Sequence, residues 1–274
     1  MVSIQCKKRP YVPRSMRGRQ IMDQKKQVQQ TFGKNASKYV SSRTHSTGED
    51  LKSMIDWLRP TKDTVALDIA TGGGHTAKAL ASHVKSIFVT DLTKEMVEHS
   101  RQSIDADNAY YIVADAEQLP FIDHSFDLVT CRIAAHHFPH PEQFIKEVKR
   151  VLKPGGHFLF IDNVSPEQEM YAQFFHTFEK ERDPSHARAL SIQEWSTLLN
   201  RHALRIKIES SRKKELEFRE WVERTVESKE KQGEIESYFL DASESIASYI
   251  TVKVTDDQVD SFTVDEWMVI AEKR

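Results

Sequence analysis

The chain has 274 residues, with 39 Lys and Arg against 41 Asp and Glu and a formal net charge of -2. At about 150 residues per domain this is one large domain or two small ones, long enough to bury a sizeable core. So balanced a charge gives no global positive field for a phosphate backbone, which disfavours generic nucleic-acid binding. Cys6 and Cys131 have neither disulfide nor zinc-site spacing and suit a reducing, cytoplasmic setting, and no apolar run approaches the roughly 18 residues of a membrane span.

Lys7, Lys8, Arg9, Arg14, Arg17 and Arg19 precede the first acid, Asp23, but Pro10, Pro13 and Gly18 break any amphipathic targeting helix. Residues 1–21 therefore read as a disordered basic extension, and 22–274 as the folded domain. The spacing Val28, Phe32, Ala36, Tyr39, Val40 predicts an N-terminal helix over about 24–42. Strand and helix then alternate. Thr64 to Ala70 is a buried-strand run, and Ala77, Leu80, Ala81 and Val84 follow at the period of a core-facing helix. Ser86 to Thr90 predicts a second strand, with a helix behind Thr93 as N-cap, and Tyr110 to Ala114 a third. Phe126 to Arg132 is a fourth strand. The helical stripe Phe144, Val148, Val151, Leu152 starts at Pro141 and stops before Pro154, Gly155 and Gly156, and His157 to Asp162 is a fifth strand.

Beyond Pro166, Tyr171, Phe174, Phe175 and Phe178 form an aromatic helical face, and Ser191 with Glu194 makes a capping box. Leu204, Ile206 and Ile208 alternate with charged residues as a sixth strand, helical stripes occupy 218–250, and Trp267 to Ala271 closes as a seventh. Together these predict an α/β fold: a doubly wound, mostly parallel seven-stranded sheet, with helical insertions at about 166–200 and 217–250.

The first predicted strand runs straight into Ala70, Thr71, Gly72, Gly73 and Gly74, and a helix begins at once. Such a turn lets a ligand approach the backbone and offers unpaired N–H groups, although a tight βα turn alone would use the same glycines. Three acids raise the signal: Asp68, Asp91 and Asp115 end the first three strands, where carboxyl ends of an open sheet face one crevice. Acids there want hydrogen-bond donors rather than phosphates. One can take ribose hydroxyls, one an adenine amino group, and one can help hold an ammonium.

The runs LDIATGGGHTA, VTDLT, YIVADAEQLPF, FDLVTCRIAAHHF and EVKRVLKPGGHFLFID resemble the class I S-adenosylmethionine-dependent methyltransferases, in particular the ubiquinone/menaquinone C-methyltransferase-like group. The resemblance covers roughly Phe32 to Asp162 and implies the Rossmann-like fold of that family, with S-adenosylmethionine as cofactor. It implies Asp68, Ala70, Gly72 and Gly74 along the methionine part, Asp91 and Leu92 at the ribose, and Asp115 and Ala116 at the adenine. Ala70 stands where many members have glycine. The N-terminal helix, with Phe32 and Tyr39, resembles the family's lid over the cofactor, and Cys131 would be a small buried side chain beside the site.

Two rivals remain at this point. An NAD(P)-dependent oxidoreductase also needs an acid after its second strand, and Asp91 lies 17 residues after Gly74, but G-x-G-x-x-G spacing is absent and Asp68 would repel a pyrophosphate. A non-catalytic S-adenosylmethionine-binding protein would keep the loop without turnover.

Methyl transfer from a sulfonium is a direct displacement, so alignment supplies much of the rate, and a base matters only where the acceptor must lose a proton. His136 and His137 follow the fourth strand and are the candidate bases, with His136 nearer the strand end; either could instead be a packing residue. Arg132 could orient an acidic acceptor or pair with a local carboxylate. His136, His137 and His140 lack further metal-ligand spacing, so no metal is expected. Families that methylate exocyclic amines carry an Asn/Asp-Pro-Pro-aromatic run where this chain has Ala134, Ala135, His136, His137. The expected acceptor is a small molecule, methylated at carbon or oxygen.

Overall fold

The computed structural model describes residues 23–34 and 49–274, so the basic extension, Tyr39 and the second half of the N-terminal helix lie outside the described residues. Residues 23–34 are helical, here α1, and α2 spans Glu49–Leu58. The alternation then runs β1 (Val65–Ile69), α3 (His75–Ala81), β2 (Ser86–Asp91), α4 (Lys94–Ser103), β3 (Ala109–Val113), β4 (Phe126–Arg132), a 3-10 turn (Ala135–His137), α5 (Pro141–Val151) and β5 (Leu152–Val164). Next come α6 (Glu169–Arg182), α7 (Ile192–Arg201), β6 (Leu204–Glu217), α8 (Phe218–Val222), α9 (Lys229–Leu240), α10 (Glu244–Tyr249), β7 (Lys253–Thr255) and β8 (Gln258–Lys273).

The sheet order is β3-β2-β1-β4-β5-β8-β6, with β7 paired to β8. Strands β1 to β5 are mutually parallel, and β8 runs antiparallel between β5 and β6. The expected seven strands are all present, and the three-residue β7 adds an eighth.

Central strands are apolar on both faces because both are covered. In β5, Phe158 and Phe160 enter the core shared with Phe144 of α5 and Trp195 of α7, while Leu159 and Ile161 enter the opposite core with Met54 of α2 and Leu80 of α3. Pro141 sits in the first turn of α5, and Ser191 caps α7 through the reciprocal bonds with Glu194. Thr93 is the N-cap residue of α4, but its side chain makes no capping bond.

A third core lies outside the alternating unit. Phe174 and Phe178 of α6, Trp221 of α8, Phe239 of α9 and Phe262 of β8 pack as an aromatic cluster. This cluster accounts for the main departure from the sequence reading: β6 and β8 are far longer than predicted and pair from Leu204↔Lys273 to Glu217↔Ser261. The extension leaves no apolar alternation in the sequence, because residues 210–217 are mostly charged or polar. Cross-strand ion pairs hold it, including Arg212 Nε to Glu266 Oε1 at 2.7 Å and Lys213 Nζ to Asp265 Oδ1 at 2.9 Å.

Candidate active site

The strand order reverses on either side of β1, and the loops after β1, β2, β3 and β4 open onto one cleft, as expected at a topological switch point. The β1 loop turns sharply: Ala70 has φ 52, Gly72 φ 53 and Gly74 φ 80. The left-handed conformation at Ala70 is the reason glycine suits that position, and alanine occupies it with strain. Asp91 closes β2 beneath this loop. Its Oδ2 accepts from the Gly72 N–H at 3.0 Å and its Oδ1 from the Thr93 N–H at 2.8 Å. Burial pushes its carboxyl above the usual range, more than these donors pull it down.

Ala70, Gly72, Asp91, Leu92, Asp115 and Ala116 line the cleft. Asp68 and Gly74 do not. Asp68 is 1% exposed below the loop, its oxygens accepting from Thr71 Oγ1 and Thr130 Oγ1, each at 2.6 Å, and burial raises its carboxyl to about 6. Through these bonds it holds the loop after β1 from below. A Cβ on Gly74 would stand 2.9 Å from Ser100 Cβ, so this glycine permits close packing of the loop on α4. Cys131 is fully buried and also off the cleft; burial and the nearby Asp162 and Asp68 push its thiol well up.

Helix α1 crosses the cleft at the end nearest the β1 loop. Lys25, Val28 and Phe32, at i, i+3 and i+7, line the cleft. Lys25 Nζ lies 2.6 Å from Asp115 Oδ2 and 2.7 Å from Glu117 Oε2, and Gln29 Nε2 donates to Leu92 O at 3.1 Å. Burial works against the Lys25 ammonium, yet the two carboxylates outweigh it and raise its pKa. Phe32 sets its edge against the His137 ring at 4.9 Å.

At the other end, the two histidines of the 3-10 turn have different surroundings. His136 Nδ1 lies 2.7 Å from Asp162 Oδ1 at the carboxyl end of β5, and the His136 backbone N–H donates to Asp162 Oδ2 at 3.2 Å. Burial disfavours the His136 imidazolium, but Asp162 overrides it and the pKa rises. His137 Nδ1 faces Ser185 O at 3.0 Å, and burial followed by the neighbouring His136 lowers its pKa to about 4. Arg132 lines the cleft and is already engaged, its Nε donating to Asp50 Oδ2 of α2 at 2.5 Å; beside it, Asp50 keeps its carboxyl below the usual range despite burial.

The sequence reading gave no role to Asp162, Lys25, Glu117, His186, Lys214 or Trp221. Asp162 was findable, since it ends the fifth strand as Asp68, Asp91 and Asp115 end the first three. Glu117 stands two residues after Asp115 in the same loop, and the rest reach the cleft from elements remote in sequence. Of the aromatic face on α6, only Phe175 lines the cleft; Tyr171 stacks on Tyr249 at 4.1 Å, and Phe174 and Phe178 belong to the third core. Among the described residues, no group of three or more His, Cys, Asp or Glu is arranged to hold a metal ion, and no helix is long and apolar enough to cross a membrane.

Residues 67–160 match the methyltransferase domain family. The chain is 37% identical over 206 residues to the uncharacterized methyltransferase YcgJ of Bacillus subtilis (strain 168), covering 73% of this chain and 81% of that protein. The solved structure of BH2331 from Bacillus halodurans C-125 superposes with a TM-score of 0.80 at 35% identity, covering 82% of this chain and 99% of that one. The ubiquinone/menaquinone biosynthesis C-methyltransferase UbiE of Brucella anthropi is 34% identical over 150 residues, which is 49% of this chain and 56% of that protein. This likeness leaves no place for the oxidoreductase alternative. With its parallel sheet, its loop after β1 and its acid after β2, the chain belongs to the class I S-adenosylmethionine-dependent methyltransferases.

Proposed function

We propose that the chain methylates a small molecule at carbon or oxygen, with His136 as the base that removes the acceptor's proton. The observation that carries this reading is the Asp162–His136 pair, 2.7 Å apart, in the same cleft as the β1 loop and Asp91. A buried carboxylate on Nδ1 fixes the tautomer, leaves Nε2 as the proton acceptor, and stabilises the imidazolium once formed. His137, with its Nδ1 on a backbone carbonyl and its pKa lowered, is the packing member of the pair.

The cofactor end suits S-adenosylmethionine on its own chemistry. A Cβ on Gly72 would meet nothing within 4 Å, so the loop leaves room on that side, and each Asp91 oxygen keeps acceptor capacity beyond its one backbone N–H. In this reading Asp91 takes the ribose hydroxyls, Leu92 and Ala116 flank the adenine, and Asp115 accepts from its amino group. The loop from Ala70 to Gly73 runs along the methionine part. When bound, the cofactor supplies an activated methyl group on a sulfonium. The chain aligns the acceptor with it, excludes water beneath α1, and receives the proton at His136 Nε2. Arg132, held by Asp50, contributes fixed positive charge beside the acceptor.

The C-methylation in the name of the UbiE relative supports a carbon acceptor, and the absence of an amine-type motif after β4 supports carbon or oxygen over nitrogen. The test is a screen of small-molecule acceptors with S-adenosylmethionine labelled in the methyl group. Label appearing on carbon or oxygen of an acceptor, and lost in His136→Ala, is the expected result; label on nitrogen, or full turnover without His136, would overturn it.

A further inference from the structure

Helix α1 is fastened across the cleft at several points that differ in kind. Gln24 Nε2 donates to Ser185 O at 2.5 Å, Gln29 Nε2 donates to Leu92 O at 3.1 Å, and Phe32 sets its edge against the His137 ring. These contacts use backbone carbonyls and a packing ring. Lys25 is different, because its Nζ bridges Asp115 Oδ2 at 2.6 Å and Glu117 Oε2 at 2.7 Å. Asp115 is the carboxylate that the reading of the cleft gives to the adenine amino group.

Both carboxylates are held from their own loop, which fixes the oxygens they turn to Lys25. Asp115, just past the end of β3, accepts the Glu117 N–H on Oδ1 at 2.9 Å, and Glu117 accepts the His140 N–H on Oε1 at 2.6 Å. An ammonium and an aromatic amino group both bring only hydrogens to a carboxylate, so at Asp115 Oδ2 they stand donor against donor. The Lys25 head sits on a flexible four-carbon stem with three rotatable donors. It can leave Asp115 and keep Glu117 while Gln24, Gln29 and Phe32 hold the helix where it is. Partly exposed ion pairs are weak, so the cofactor wins this contest, yet the competitor is tethered and never dilutes away.

We propose that Lys25 is an internal competitor for the adenine site: its ammonium and the adenine amino group contend for Asp115 Oδ2, and the returning Lys25–Asp115 contact hastens release of the spent cofactor. The proposal rests on the reading of Asp115 as the adenine acceptor. S-adenosylmethionine and S-adenosylhomocysteine carry the same adenine, so both meet the same contest. On arrival the amino group displaces Lys25 onto Glu117 alone; on departure Lys25 retakes Asp115. The helix that covers the cleft thus also carries the group that helps to clear it.

The experiment uses the full chain and two ligands, S-adenosylhomocysteine and S-inosylhomocysteine, which has an oxygen in place of the adenine amino group. Affinity is read by titration calorimetry, and release by chasing radiolabelled ligand with unlabelled. At low salt Lys25→Met should bind S-adenosylhomocysteine about two- to fourfold more tightly than wild type, with most of the gain in slower release. The gain should shrink at about 0.5 M salt, which screens the ion pairs. S-inosylhomocysteine should move the other way, since its oxygen accepts from Lys25 and loses that donor in Lys25→Met. A helix merely loosened by the substitution would weaken both ligands. Equal or lower affinity of Lys25→Met for S-adenosylhomocysteine, a gain carried only by faster association, or a shift of both ligands in one direction would each overturn the proposal. The underlying reading is checked separately with Lys25 intact: Asp115→Asn should narrow the preference for S-adenosylhomocysteine over S-inosylhomocysteine, and an unchanged ratio would remove Asp115 from the adenine and the proposal with it.

Discussion

At the β1-loop end of the cleft, beneath the side chains of α1, the lining groups come from loops directly following β1, β2 and β3, and much of the lining is backbone: the turn at Ala70 to Gly73, anchored by one carboxylate, Asp91. At the acceptor end they are side chains from the 3-10 turn, β5, α6, the turn after it, β6 and α8, spread between Arg132 and Arg224. A site made of backbone and strand ends is dictated by the sheet itself and serves one ligand. A site made of side chains on inserted helices can be rebuilt without disturbing the sheet, which is how one fold comes to serve many acceptors. Substitutions at the acceptor end should therefore change turnover and selectivity, whereas those at the cofactor end should change cofactor affinity and loop stability.

The sharpest test of that division is His136→Ala, for which turnover should fall by roughly 10²- to 10⁴-fold, the range for loss of a general base. Cofactor affinity measured by calorimetry should stay the same; a parallel loss of affinity would mean that the two ends are not separable. The pH profile refines the point. On the proposed reading a base at His136 must be neutral, so turnover should decline as pH drops through its pKa, which Asp162 raises. Asp162→Asn removes that effect and should move the acid limb to lower pH while reducing the plateau.

Asp91→Ala should weaken cofactor binding by about 1.5–3 kcal/mol, the scale of hydrogen bonds to a charged group. Titration calorimetry reads it directly. Because Asp91 also accepts from Gly72 and Thr93, some melting-temperature loss should accompany it.

The two glycines should separate by kind of effect. Gly74→Ala brings a Cβ to within 2.9 Å of Ser100 Cβ at φ 80 and should cost about 1–3 kcal/mol of stability in urea denaturation. Gly72→Ala meets only open space at φ 53, so about 1 kcal/mol of backbone strain is expected, with cofactor affinity carrying the larger change.

Stability against pH should divide the histidine pair. His137, with its pKa lowered to about 4, stays neutral in the folded protein while the unfolded chain takes up a proton below about 6.5, so stability is lost between those values as pH falls. His137→Phe should flatten that part of a melting-temperature curve. His136, with its pKa raised, has the opposite sign: its contribution is full below the unfolded value and is lost as pH rises through the folded one. The smallest expected effect is at α1, where Lys25→Met removes two partly exposed ion pairs worth about 0–1 kcal/mol each. Cofactor affinity should move by no more than a few-fold, while proteolysis within 23–34 should accelerate.

The order of alternating strands and helices, the glycine turn after β1 and the acids at Asp91 and Asp115 are legible along the chain. Alternating buried strands and core-facing helices allow almost no other arrangement, and acids at strand ends follow from counting along the runs before each turn. Tertiary structure decided three further matters. It showed that Asp68 and Gly74, which stand beside the lining residues in sequence, face inward: a side chain at the end of a strand points to either face of the pleat, and Thr71 and Thr130 hold Asp68 below the loop. It separated His136 from His137, two identical neighbours in sequence, by giving one a carboxylate from β5 and the other a carbonyl from the turn after α6. And it brought His186, Lys214 and Trp221 to one cleft: β6 and β8 extend together as a charged antiparallel pair on which the third core is built, and the turn after α6 packs beside it. Local periodicity reports which face of an element is buried; which distant element covers that face is a property of the assembled chain.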